Sequence, residues 1–155
     1  MKSLRELLAV SGLVFAVLVV SDFYSRLPER IATHFDAMGV ANGYGSRSTL
    51  WVLVGIASLL YVVLSLISIV PRRMSLRRQL SPEREKEVWT ATAAMVGWIK
   101  AEMCWMFAYL CLGMVRSGMG LQIGLGWWLL PVMLVVVLGT CAIFMVRIFT
   151  NVREY

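Results

Sequence analysis

The sequence predicts an all-α integral membrane protein: four transmembrane helices with an ordered extracytoplasmic loop between helices 1 and 2. Three observations predict it. The 155 residues are 59% hydrophobic and only 15% charged, with a mean hydropathy of +0.76. A soluble domain of this length needs far more polar surface, because much of its area faces water. The apolar residues gather into four runs, and the basic residues are divided unequally among the stretches between them.

The first span is placed at about 4–24. Leu7 to Val20 is uncharged for roughly 14 residues, a length that also fits the core of a signal peptide. "VVS" before Asp22 passes weakly as a cleavage site. The reading here is a retained span that reaches Tyr24 with Asp22 at the interface. The second span, 50–70, is an uncharged run of roughly 21 residues, enough to cross ~30 Å of hydrocarbon as a helix. The third, 92–115, lies within a run from Val88 to Val115. At 1.5 Å per residue those 28 residues reach ~42 Å, so the helix tilts or protrudes from one face. The fourth, 127–147, is closed by Arg147. Together they form one membrane domain over 1–155.

Orientation follows from the basic residues. One side collects Lys2, Arg5, Arg72, Arg73, Arg77, Arg78, Arg84, Lys86, Arg147 and Arg153; the other has Arg26, Arg30, Arg47 and Arg116. Both termini and the basic loop 71–88 are therefore expected in the cytoplasm, and loop 25–49 outside. Tyr24, Trp51, Trp127 and Trp128 would then mark the outer interface and Trp89 the inner one. The charge of +6 and pI near 9.7 are topological on this reading, not a sign of nucleic acid. In "SPEREKE", Ser81 fits a helix N-cap, Pro82 the first helical position, and Glu83 and Glu85 the first turn, so helix 3 starts near Pro82.

The one long polar segment of the first half is "RLPERIATHFDAMGVANGYGSRS", Arg26 to Ser48, with the only histidine, His34. Pro28 favours a chain reversal. "RIATHFDAM" is read as a short helix with Ile31, Phe35 and Met38 along one side, and the glycines of "NGYGS" as a tight turn. The glycine-rich "SGMGLQIGLG" follows no strand and opens no βαβ unit, so it carries little weight as a nucleotide site. Cys104, Cys111 and Cys141 lie in apolar runs without metal-ligand spacing and read as small buried hydrophobes.

Lys100 and Glu102 interrupt helix 3, and a charge at mid-bilayer costs about 2.5–3.5 kcal/mol on insertion scales. Lys100 is expected to snorkel to the cytoplasmic interface. Two residues apart means ~200° around a helix, so Glu102 faces elsewhere. It must be neutral, reach water, or meet a donor, for which Trp98, Trp105 and Tyr109 lie on or near its side. The ridge Ala93, Gly97, Ala101 offers a close helix contact beside it.

"LPERIATHFDAMGVANGYGSR" resembles the segment "LPDRIPTHFNAxGxPDGWGSK" of a widespread prokaryotic membrane domain of unknown function, which also forms the N-terminal part of SdpI-type immunity proteins. The likeness rests on Leu27, Pro28, Ile31, Thr33, His34, Phe35, Gly39, Gly43, Gly45 and Ser46. With both flanking helices it covers about residues 7–70. Ala32, Asp36, Tyr44 and Arg47 stand where proline, asparagine, tryptophan and lysine are usual. The resemblance implies a small protein of a prokaryotic cytoplasmic membrane, without established enzymatic chemistry. Its outer loop, through Pro28, Thr33, His34, Phe35, Asp36, Gly43, Ser46 and Arg47, would recognise a ligand.

No nucleophile, base and orienting group occur together, and a single histidine without clustered ligands argues against a metal site. The expectation is a non-enzymatic protein with no cofactor and no nucleic acid, whose outer loop senses or binds a ligand such as a membrane-active peptide. Besides the lipid bilayer, its partners would be that peptide or other membrane subunits. The rival readings are an accessory subunit held by helix packing and a small transporter using Glu102 as a proton or cation site.

Overall fold

The structure is a computed structural model, described for residues 2–69 and 81–153. Helix α1 (Lys2–Phe23) runs into a single 3-10 turn (Tyr24–Arg26). Strands β1 (Arg30–Phe35) and β2 (Ala41–Ser46) follow, and then helices α2 (Thr49–Ile69), α3 (Pro82–Gly118) and α4 (Leu129–Arg153). All four helices are long and apolar enough to cross a membrane. This is a multi-pass membrane protein with a small two-stranded sheet, so the all-α expectation holds for the spans and fails between the first two.

Helix α3 is the centre of the bundle, with α1, α2 and α4 each packed against it. The reason lies in its small residues. Gly97, Ala101, Cys104, Ala108, Cys111 and Val115 are buried at helical spacing. From α1, Ala9, Gly12, Ala16 and Val19 repeat at three and four residues and face them. A Cβ on Gly12 would stand 3.0 Å from the Cys104 backbone, so the two helices approach as closely as small-residue seams allow. Of the expected ridge, Gly97 and Ala101 are buried, whereas Ala93 is exposed. Cys104 and Cys111 are buried and Cys141 partly so, all as free thiols.

Helix α3 does begin at Pro82, with Glu83 and Glu85 in its first turn, but Ser81 caps through its carbonyl, which accepts from Glu85 N, and not through its side chain. The arginines of loop 71–88 up to Arg78 lie outside the described residues. Helix α4 buries only 6% of its apolar window, against 39% for α3. Leu134, Val135, Leu138 and Ile143 are all more than half exposed. In a membrane protein such a surface meets acyl chains as apolar as itself.

The main apolar cluster lies where the helices meet the sheet. It joins Val19 and Val20 of α1, Leu50 and Val54 of α2, and Cys111, Met114 and Val115 of α3, with Leu27 and Ile31 from the connection. The sheet is thereby built onto the helix ends.

Candidate functional site

Residues 26–48 were expected as a short helix followed by a tight turn. They form an antiparallel hairpin instead, pairing Arg30 with Ser46, Ile31 with Gly45 and Ala32 with Tyr44. The physical reason is local. Ile31 and Thr33 are β-branched, which suits a pleated surface better than a helix. Asp36 then closes the turn: its Oδ1 accepts from the backbone N–H groups of Met38 and Val40, both at 2.9 Å. Gly39 completes it at φ 75°, a conformation that favours glycine. Gly43 and Gly45, expected to turn the chain, lie inside β2. They are glycines because of what faces them. A Cβ on Gly43 would stand 2.8 Å from His34 Cβ, and one on Gly45 would stand 2.9 Å from the Thr33 hydroxyl.

Most of the singled-out residues therefore build and anchor the hairpin. Arg47 is its clip. Its Nη1 donates to the carbonyls of Tyr24 and Leu27, its backbone N donates to Glu29, and its guanidinium stands 4.9 Å from the Tyr24 ring centre. Pro28 is exposed and holds Leu27 extended ahead of it. The Ser46 hydroxyl accepts from Ser48 Oγ and N just before α2. Thr33 is half-buried, and Phe35 packs at the edge of the main apolar cluster. His34 is different. It is exposed, and its Nδ1 lies 2.5 Å from Asn42 Oδ1 across the strands.

The glycine-rich stretch before α4, given little weight from the sequence, is where the hairpin docks. Val40 pairs with Gly124, and Leu125 N donates to Gly39 O at 2.8 Å. Side chains at Gly39 and Gly124 would each collide with the other segment's backbone. The two segments together expose Met38, Tyr44, Ile123 and Trp127, at 64%, 62%, 89% and 66%. All four are apolar or aromatic and largely exposed, and the His34–Asn42 pair lies on the same hairpin. Its glycines were legible in the sequence; their pairing with a segment some 85 residues away was not.

The intramembrane charges behave differently from each other. Lys100 was expected to snorkel, but it is 2% exposed and points into the bundle. Its Nζ donates to both carboxylate oxygens of Glu6 at 2.7 and 2.8 Å and to Ser65 Oγ at 3.0 Å. It also stands 4.6 Å from the Tyr61 ring centre. Tyr61 OH donates to the same carboxylate. An ion pair to α1 and a hydrogen bond to α2 satisfy the ammonium better than a stretched stem would. The pair forms one wall of a cavity of about 710 Å³ at the end of the bundle that holds Lys2 and Pro82, lined also by Arg5, Lys86 and Trp89. Glu6 was not singled out from the sequence, because a partner on another helix leaves no periodic trace.

Glu102 faces α4, as a carboxyl at that depth requires. Thr140 Oγ1 donates to its Oε1, while its Oε2 is buried without a partner. Two of the three expected donors are engaged elsewhere: Trp105 Nε1 donates to Leu8 O and Tyr109 OH to Leu125 O, each at 3.0 Å. No three His, Cys, Asp or Glu side chains gather as metal ligands among the described residues.

Residues 10–57 match the model of a family described as a domain of unknown function (DUF1648). The match takes in most of α1, the 3-10 turn, the whole hairpin and the first turns of α2, and agrees with the resemblance carried by the hairpin motif. No curated protein and no solved structure matches the chain.

Proposed function

We propose that this chain is a non-enzymatic protein of a prokaryotic cytoplasmic membrane, with both termini inside, and that its hairpin cap binds a peptide ligand on the outer face. The observation that carries this reading is the exposed apolar and aromatic surface of Met38, Tyr44, Ile123 and Trp127 on a frame held by the Gly39–Leu125 hydrogen bond. Exposed apolar side chains of that kind, each more than half exposed, are the sort on which a partner docks, and they support this reading. A peptide suits it for a second reason. The sheet has two strands only, so β2 has an unpaired edge, with Asn42, Tyr44 and Ser46 exposed along it. An extended chain added to such an edge gains main-chain hydrogen bonds, and the aromatic side chains supply selectivity. An immunity role of the SdpI type, in which the ligand is a membrane-active peptide, is one form of this proposal.

Survival tests it. Cells producing the chain should withstand a dose of at least one peptide, from a panel of membrane-permeabilising peptides, that kills cells carrying the empty vector. Tyr44→Ala together with Trp127→Ala should remove the protection while the protein still accumulates in the membrane. Equal killing with and without the chain across the panel overturns the reading. The accessory-subunit reading is the rival: α4 buries least of the four helices, a face that acyl chains cover on the present reading and another subunit would cover on that one. On that reading, purification in mild detergent yields a stoichiometric complex with another membrane protein.

A further inference from the structure

Helix α3 is longer than the layer it crosses, and the excess lies at its start. Pro82 stands 18 residues before Lys100, ~27 Å along the helix at 1.5 Å per residue. Helix α1 begins only four residues before Glu6, the partner of Lys100. The first part of α3 therefore runs past the start of α1 by roughly 20 Å. The cavity of about 710 Å³ lies beside this overhang, walled by Trp89, Ala93 and Val96 of α3 and by Lys2 and Arg5 of α1. Its size falls within the roughly 300–1,000 Å³ of small-molecule pockets.

The charges of this cavity are within reach of a ligand. Lys2 and Lys86 are exposed and Arg5 is half-buried, and all three line it. Gly97 makes room for the arginine. A Cβ there would stand 3.2 Å from both Arg5 Cδ and Nε, so the Arg5 stem lies flat against α3 in the cavity wall. Among the described residues, Arg5 forms no ion pair and its guanidinium no hydrogen bond. The acids do not cancel these cations. Glu6 is committed to Lys100 at 2.7 Å, which leaves Glu85 as the acid set against Lys2, Arg5 and Lys86. Three cations against one acid keep the wall positive, so it suits an anion.

Two observations define that anion. The uncharged run of α1 begins at Leu7, so Lys2 and Arg5 stand where hydrocarbon gives way to headgroups, with Trp89 as an interfacial ring on the facing helix. The abundant anion at that level is the phosphate of a phospholipid. The rest of the α3 wall, Ala93, Val96 and Gly97, is apolar and suits a glycerol backbone better than a small hydrated ion.

We propose that this cavity binds the phosphate of an anionic phospholipid. The phosphodiester is held by Arg5, Lys86 and Lys2, the guanidinium supplying paired donors, and the glycerol rests against Trp89, Ala93 and Val96. A zwitterionic headgroup brings its own cation against the basic wall and is disfavoured. The site lies at the end of the bundle away from the hairpin. It depends neither on the peptide reading nor on which way the bundle faces.

Dioleoylphosphatidylglycerol is the probe, and dioleoylphosphatidylcholine, with the same acyl chains, is the control. Each is titrated onto the delipidated full chain in detergent at about 150 mM salt, and bound lipid is counted by native mass spectrometry. One phosphatidylglycerol should bind saturably, at least about tenfold more tightly than phosphatidylcholine, from about 1 kcal/mol per basic residue. Arg5→Gln together with Lys86→Gln should erase that preference. Ala93→Trp keeps every charge and fills the cavity, and should abolish the tight site, whereas a lipid held by surface charge alone would be indifferent to it. Inorganic phosphate, which has the charge without the glycerol, should not displace the lipid at equal concentration. The proposal is overturned by equal affinity for the two lipids, by a preference that survives the double Gln variant, or by undiminished binding to Ala93→Trp. Displacement by inorganic phosphate also overturns it, and assigns the cavity to a soluble phosphate. None of these outcomes depends on the peptide survival assay.

Discussion

Lys100 and Glu102 are two residues apart on one helix, yet they solve the problem of a charge in hydrocarbon in opposite ways. Lys100 is the most deeply buried charge among the described residues, and its Glu6 partner remains 38% exposed on the cavity side. The asymmetry decides what each substitution does. Glu6→Gln leaves the buried ammonium an uncharged amide oxygen, a hydroxyl and an aromatic face but no counter-charge, and should cost on the order of 3 kcal/mol. Lys100→Met leaves a carboxylate that water can reach, and should cost no more than about 1 kcal/mol. The double variant should be more stable than Glu6→Gln alone, because removing both charges leaves nothing stranded. Thermal unfolding in detergent reads all three. Equal costs for the two single variants, adding in the double, would mean that the pair is not coupled.

At the scale of elements, the four helices were readable because a span is a property of composition: an uncharged run of sufficient length has one outcome in a bilayer. The hairpin was not readable in the same way. "RIATHFDAM" places Ile31 and Phe35 four residues apart, a spacing that puts them on one face of a helix and of a strand alike. What decides between them is Asp36 accepting from Met38 and Val40, together with the docking of Val40 on Gly124. The second contact is nonlocal, and no window of sequence contains it. Glycines here separate into those with a task and those without. Gly39 has φ 75°, and a Cβ there would stand 2.6 Å from Gly126 O. Gly39→Ala should therefore destabilise the cap by about 1–3 kcal/mol and release it from the α3–α4 connection. Gly55, inside α2 with nothing near its absent side chain, is the control. Gly55→Ala should be neutral or stabilising by up to about 1 kcal/mol. Amide exchange of residues 36–40 distinguishes them: protection lost in the first variant and kept in the second. Protection retained in Gly39→Ala would show that the docking seen at Val40 and Gly124 does not hold the cap.

For the whole molecule, the remaining question is which way the bundle faces. Its two ends are chemically unlike. Tyr24, Trp51, Trp127 and Trp128 all fall at the hairpin end, where Tyr24 and Trp51 lie 6.2 Å apart between ring centres. The other end carries Lys2, Arg5 and Lys86 around the large cavity, and the chain between α2 and α3 adds Arg72, Arg73, Arg77 and Arg78. Ten basic residues against four is the asymmetry that retains a segment in the cytoplasm, because Lys and Arg in short loops resist translocation. On the proposed orientation the hairpin and its exposed aromatic side chains face outward, where a peptide ligand would arrive. A chain with Cys104, Cys111 and Cys141 replaced by alanine, carrying a single cysteine in place of Asn42, should react with a membrane-impermeant maleimide in intact cells. A single cysteine in place of Arg78 should react only after the cells are opened. The Asn42 position is exposed on β2, so failure to label there cannot be ascribed to burial. Labelling of the Arg78 position and not the Asn42 position in intact cells would invert the bundle and place the hairpin surface in the cytoplasm, removing the ground for an external ligand.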